Sequence, residues 1–141
     1  MASLWRCSIA ANVRKMAAHL PLDDADREPW LDAIGAWIDA AVAAGTSAVV
    51  TCSALKRSYR DRLRHGRDDV RLIYLDVDPE TVAARLAART DHFFPPDLLA
   101  SQFATLEAPT EDEGVIRVRV DAPSAELVDR LLASGIVPDA A

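Results

Sequence analysis

Glycine is scarce in this chain. The five that occur, Gly35, Gly45, Gly66, Gly114 and Gly135, stand at least ten residues apart. That spacing excludes a glycine-rich phosphate loop of the type G-x-x-x-x-G-K-[ST], which needs neighbouring glycines beside a lysine. Lysine is scarcer still: Lys15 and Lys56 are the only two, and neither follows a glycine or precedes a serine or threonine. Cysteine is limited to Cys7 and Cys52, with no C-x-x-C pair. This excludes a disulfide framework and suggests a reducing compartment. The three histidines, His19, His65 and His92, show no metal-ligand spacing, so no metal site is expected from them. Positive charge is in deficit, with 16 basic against 22 acidic residues and a net charge of −6. That argues against general binding to nucleic acid or an anionic membrane. The longest apolar candidate, residues 38–50, is broken by Asp39, Gly45, Thr46 and Ser47 and is no membrane span. The first residues show no signal-peptide core and cleavage site, so a cytoplasmic location is expected.

What remains is an ordinary globular balance. Half of the 141 residues are hydrophobic and 27% are charged. The chain fits a single domain, 1–141, with enough length to bury a core. Helical periodicity marks residues 9–18, then a helix capped by Asp24 or Asp26 with Glu28 and Pro29 in its first turn. Trp30, Ile34, Trp37, Ile38, Ala41 and Val42 form the apolar stripe of that helix, up to Gly45. Gly45, Gly66 and Gly135 each follow a helical pattern and read as helix C-caps. Strands are predicted over 47–52, 70–75 and 115–120. Helices are predicted over 55–65, from Asp78-Pro79 to about Thr90, over 98–106, and from a Ser124 cap through Leu132. Strands alternating with helices imply an α/β parallel sheet. Fourteen of the 16 basic residues are arginine. That fits either phosphate and carboxylate recognition or a codon bias that also favours alanine.

The densest stretch is Cys52-Ser53-Ala54-Leu55-Lys56-Arg57-Ser58-Tyr59-Arg60-Asp61-Arg62-Leu63-Arg64. It places a strand directly before a basic helix. Lys56, Arg60 and Arg64 recur at i, i+4 and i+8, beside an apolar stripe of Leu55, Tyr59 and Leu63. The start of a helix that follows a strand is suited to an anionic substrate, while a solvated basic face is the plainer alternative. Cys52 closes the strand and reads as a small packing residue. Upstream stands Asp24-x-Asp26-Arg27-x-Pro29-Trp30-Leu31. Downstream stands Arg89-x-x-His92-Phe93-x-Pro95-x-x-Leu98-Leu99-x-Ser101-Gln102-Phe103-x-Thr105-Leu106-Glu107.

Together with Asn12-x-x-Lys15-Met16 and Pro21-Leu22, these segments resemble bacterial-type gluconokinase, a small P-loop kinase related in fold to shikimate and nucleoside monophosphate kinases. The resemblance runs from about Asn12 to the C-terminus. It implies a parallel sheet in the order 2-3-1-4-5 flanked by helices, of which this chain supplies the equivalents of strands 3, 4 and 5. Strand 1, the Walker loop and the first helix have no counterpart here. The stretch Leu4 to Ile9 also lacks the family's Asp-x-x-His-Pro, whose Asp is a candidate base, so no residue is singled out as catalytic. The pattern fails abruptly before Asn12, and the expectation is a frameshift or a misplaced start there.

The resemblance further implies ATP and Mg²⁺ as cofactors and gluconate or a similar sugar acid as substrate. A second copy of the chain is a candidate partner. Lys56 and Arg60 would hold the substrate's carboxylate or hydroxyls, with Asn12 and Lys15 opposite and Gln102 near the polyol. For Asn12 and Gln102 a helix cap or surface amide is the plainer reading, and capping alone accounts for Asp24 and Asp26. Arg85, Arg89 and His92, at i, i+4 and i+7, would lie on a lid and meet transferred phosphate. Trp30 and Trp37 belong to the core stripe. The implied activity is ATP-dependent phosphorylation of gluconate at its 6-hydroxyl. The alternative is a sugar-acid-binding or regulatory remnant without catalysis.

Overall fold

The computed structural model describes residues 10–89 and 95–135. Its order is α1 (Ala10–Ala17), α2 (Asp24–Ala43), α3 (Arg57–Arg64), β1 (Ile73–Asp76), α4 (Pro79–Ala87), α5 (Pro96–Thr105), β2 (Ile116–Arg119) and α6 (Ser124–Ala133). A single 3₁₀ turn, Glu111–Glu113, precedes β2. The architecture is α/β, with a short parallel sheet and flanking helices.

Helix α2 begins one residue earlier than predicted. Asp23 is its N-cap, in a reciprocal box in which the Asp26 N–H donates to the Asp23 carboxylate and the Asp23 N–H to the Asp26 carboxylate, both at 2.9 Å. Asp24 is thereby released from capping. Pro29 consequently falls inside the helix rather than in its first turn. Its missing N–H leaves the Ala25 carbonyl without a helical donor.

The buried residues of α2 are Arg27, Leu31, Ile34, Gly35 and Ile38, spaced along one face. Leu31 and Ile34, each 1% exposed, centre a core completed by Ile38, Tyr59 and Leu63. Trp30 and Trp37 pack on its rim, and Val42 of the predicted stripe is exposed. At Gly35 the Arg67 guanidinium crosses the helix so closely that a Cβ would meet its Nη2 at 3.0 Å. The glycines predicted as C-caps, Gly45, Gly66 and Gly135, all take left-handed φ.

The strand predicted over 47–52 forms no ladder. Its residues from Val49 to Ala54 nevertheless alternate in exposure. Val50, Cys52 and Ala54 pack against the α2–α3 core while Val49, Thr51 and Ser53 point outward. A strand is defined by hydrogen bonds to a neighbour, and among the described residues this segment has none beside it. The two strands that do pair are parallel, in register from Ile73↔Ile116 to Asp76↔Arg119. The ladder continues from the Ile116 N–H to Leu72 O and from the Val120 N–H to Asp76 O, both 2.9 Å. Helices α4 and α5 cross over between them, as a parallel connection requires.

Helix α4 is capped by Asp78, which accepts from the Thr81 N–H at 2.7 Å. It ends at Ala87; Thr90, its predicted limit, lies outside the described residues. Ser124 is the first residue of α6 rather than its cap, because Pro123 takes the N-cap position. No helix among the described residues is long and apolar enough to cross a membrane.

Candidate functional site

The beginnings of α2 and α3 face each other, and α1 lies across them. Two lysine–aspartate pairs result. Lys56, the N-cap of α3, donates from Nζ to both carboxylate oxygens of Asp24, at 2.7 and 2.9 Å. The Tyr59 hydroxyl donates to the same carboxylate. Lys15 on α1 donates to Asp26 and, at 3.4 Å, to Asp23. The buried Asn12 amide donates to the Asp26 backbone carbonyl at 2.8 Å, tying α1 to α2. Arg27 is buried behind the cluster, 5.9 Å from the Tyr59 ring centroid, and Lys56 sits 5.7 Å from it.

The charges shift one another accordingly. The hydrogen bond from Lys56, then that from Tyr59, holds the Asp24 carboxyl below the usual range. Lys15 does the same to Asp26. Asp26 raises Lys15, and Asp24 raises Lys56. Burial, followed by the bond to Asp24, raises Tyr59. Both acids are therefore ionised and both lysines charged at neutral pH. Cationic donors thus alternate with carboxylate acceptors where α1, α2 and α3 meet.

Arg60 is placed differently from its sequence expectation. It is 5% exposed, and all three of its nitrogens donate to protein groups. Nε and Nη2 form a bidentate pair with Glu113 at 2.7 and 2.8 Å. Nη1 reaches the carbonyls of Ala54, Leu55 and Glu107 at 3.3, 3.2 and 2.9 Å. Arg64 donates to the Glu113 carbonyl. The expected face of three cations is thus divided: Lys56 sits at the cap, Arg60 inside, and Arg64 against the 3₁₀ turn. Arg60 holds Glu113 down to about 2. Sequence reasoning missed Glu113, although Thr110-x-x-Glu113 is a capping-box pattern, and the box is formed. Cys52 is half-buried, and desolvation pushes its thiol up to about 12, which suits packing rather than nucleophilic chemistry.

A second region lies where β1 and β2 end. An open cleft of about 630 Å³ is lined by Asp76, Asp78, Thr81, Arg85, Arg119 and Asp121 among others. This is the carboxyl edge of a parallel sheet, where α/β folds collect ligands. Arg85 leans over it and donates to the Ala122 carbonyl at 3.4 Å. Arg89 lies past the end of α4 and is exposed. His92 lies outside the described residues. Gln102 is half-buried on α5, and its side-chain amide has no hydrogen-bond partner among the described residues. Also among the described residues, no group of three or more His, Cys, Asp or Glu side chains converges to hold a metal.

A parallel sheet with an open cleft at its carboxyl edge has counterparts among solved structures. The chain superposes on a sugar kinase from Janibacter sp. HTCC2649 with a TM-score of 0.84 and 42% identity, covering 94% of this chain and 76% of that one. A gluconokinase from Sinorhizobium meliloti 1021 gives 0.77 and 41%, covering 91% and 71%. In sequence, the chain is 51% identical over 108 residues to the gluconokinase of Gluconobacter oxydans, covering 77% of this chain and 61% of that protein. It is 37% identical over 136 residues to a probable gluconokinase of Rattus norvegicus, covering 84% and 74%. No family model matches. The chain belongs to the gluconokinase family. It spans less than two thirds of the length of the Gluconobacter relative.

Proposed function

We propose that this chain carries the sugar-acid side of an ATP-dependent gluconokinase, which moves the γ-phosphoryl group of ATP to the 6-hydroxyl of gluconate. The observation that carries the reading is the pair of lysine–aspartate contacts at the facing ends of α1, α2 and α3. Lys56 and Lys15 supply charge-assisted donors for the carboxylate and hydroxyls. Asp24 and Asp26 accept from hydroxyls. Gln102 offers a free amide to the polyol, and Asn12 fixes α1 over the site. Arg60 acts as a positioning residue, since its donors are engaged within the protein. Arg85, Arg89 and His92 are the lid cations that would face phosphate oxygens. The 141 residues form one functional unit in this reading, in a cytoplasmic setting, with a second copy of the chain as candidate partner.

Among the described residues no group of three or more His, Cys, Asp or Glu side chains is placed to hold Mg²⁺, and no Walker A pattern occurs in the sequence. That favours a second reading, in which the same pocket binds a sugar acid without phosphoryl transfer.

Calorimetric titration with gluconate, with uncharged glucose as control, tests the shared part. Saturable binding of gluconate alone supports the pocket, and absence of binding overturns both readings. Formation of 6-phosphogluconate on adding Mg·ATP then separates kinase from binding module.

A further inference from the structure

Glu107 ends the segment that follows α5, and no role above uses its side chain. Three hydrogen bonds converge on it. Its N–H donates to the Leu55 carbonyl at 2.8 Å. Its own carbonyl accepts from Arg60 Nη1 at 2.9 Å. Its carboxylate accepts the Arg57 N–H at 2.7 Å. The last contact has a structural reason. Arg57 is the first residue of α3, so its N–H is one of the donors a helix leaves unpaired at its start. Lys56 is the N-cap, and its side chain cannot accept that bond. Glu107 therefore caps α3 from 50 residues away, with its negative charge at the favourable end of the helix dipole.

Leu55 and Arg57, two of the three residues bonded to Glu107, flank Lys56. The same short loop is held from beneath by Arg60 Nη1, which donates to the Ala54 and Leu55 carbonyls, and Glu107 joins it to the segment that follows α5. We propose that Glu107 is a positioning residue, a latch that ties the end of α5 to the loop presenting Lys56 and thereby couples the placement of α5 to that of the Lys56 ammonium. Its meaning for substrate rests on the sugar-acid reading of Lys56. The latch itself does not.

The test uses four versions of the 141-residue chain: wild type, Glu107→Ala, Glu107→Gln and Leu127→Ala. The glutamine keeps an acceptor oxygen for the Arg57 N–H. Leu127 is buried on α6 and serves as a control for general destabilisation. Two signals are read by NMR: amide exchange at Arg57 and the titration of the Asp24 carboxyl, which Lys56 holds low. In Glu107→Ala the Arg57 amide should exchange about tenfold faster, the scale of one hydrogen bond, and the Asp24 midpoint should move up toward the ordinary carboxylate range. Glu107→Gln should restore most of both effects, and Leu127→Ala should leave both unchanged. An unmoved Asp24 midpoint in Glu107→Ala overturns the latch, as does an equal shift in Leu127→Ala. Gluconate titration of the wild type judges the sugar-acid reading separately. If wild type binds no gluconate, that reading fails while the latch still stands or falls on Asp24.

Discussion

Arg60 and Lys56 look alike in sequence and differ in what they do. Arg60 and Glu113 have side chains only 6% and 3% exposed, and they bind through two parallel contacts. Removing one partner would leave a buried charge alone, so Glu113→Ala should cost about 3–5 kcal/mol of stability in urea unfolding. The pH dependence has a definite sign. Glu113 is held at about 2 in the folded protein, below its ordinary 4.5. Its contribution is complete above that ordinary value and is lost as pH falls toward 2, so Glu113→Gln should flatten the acid limb of the stability curve. Lys56 behaves in the opposite way: its partner Asp24 is 62% exposed, so Lys56→Ala should leave stability nearly unchanged. It should nevertheless lower gluconate affinity by about tenfold or more, the scale of a charge-assisted contact. A melting series with and without gluconate distinguishes the two residues. Equal ligand protection in wild type and Lys56→Ala would remove Lys56 from the site. The sequence shows both cations on one helix face. It does not show which one has a carboxylate waiting 53 residues away, because that partner is set by tertiary packing.

Among the elements, residues 47–52 separate pattern from structure most clearly. The apolar run that predicts a buried strand is only half-covered, with Val50 and Cys52 turned to the core and Val49 69% exposed. Periodicity records which side is buried. It does not record whether a neighbour supplies hydrogen bonds. The helices were more legible because their hydrogen bonds are internal, and errors were confined to their ends, α3 starting at Arg57 rather than Leu55 and α5 at Pro96 rather than Leu98. Asp23 rather than Asp24 starts α2, and Pro123 displaces Ser124 at α6. The expected consequence is a contrast in amide exchange. The Ile116 and Val120 amides, bonded to Leu72 and Asp76, should be protected by about 100-fold or more relative to the Val49 and Thr51 amides. Hydrogen exchange read by mass spectrometry measures it. Comparable protection in the two segments would mean that 47–52 acquires a strand partner in solution.

For the whole molecule, the family and the α/β class were legible because ordered motifs of unusual residues extend from Asn12 onward. The placement of ligand groups was less so, because the two regions they form lie apart in sequence. The arginines proposed as lid cations give the sharpest test at this scale. Arg85 on α4 and Arg89 just past its end are exposed, and an exposed charge contact contributes about 0–1 kcal/mol. Two such contacts supply at most about 2 kcal/mol. A dissociation constant of about 1 mM already requires about 4 kcal/mol. The usual remainder comes from a glycine-rich loop whose backbone N–H groups surround the phosphates, and the sequence contains no such motif. The cleft at the carboxyl edge of the sheet adds three acids, Asp76, Asp78 and Asp121, which repel a polyphosphate. Titration of these 141 residues with Mg·ATP should therefore show no saturation below about 1 mM, and Arg85→Ala should change nothing measurable. Tight, saturable binding that is lost in Arg85→Ala would require a phosphate cradle built from this cleft.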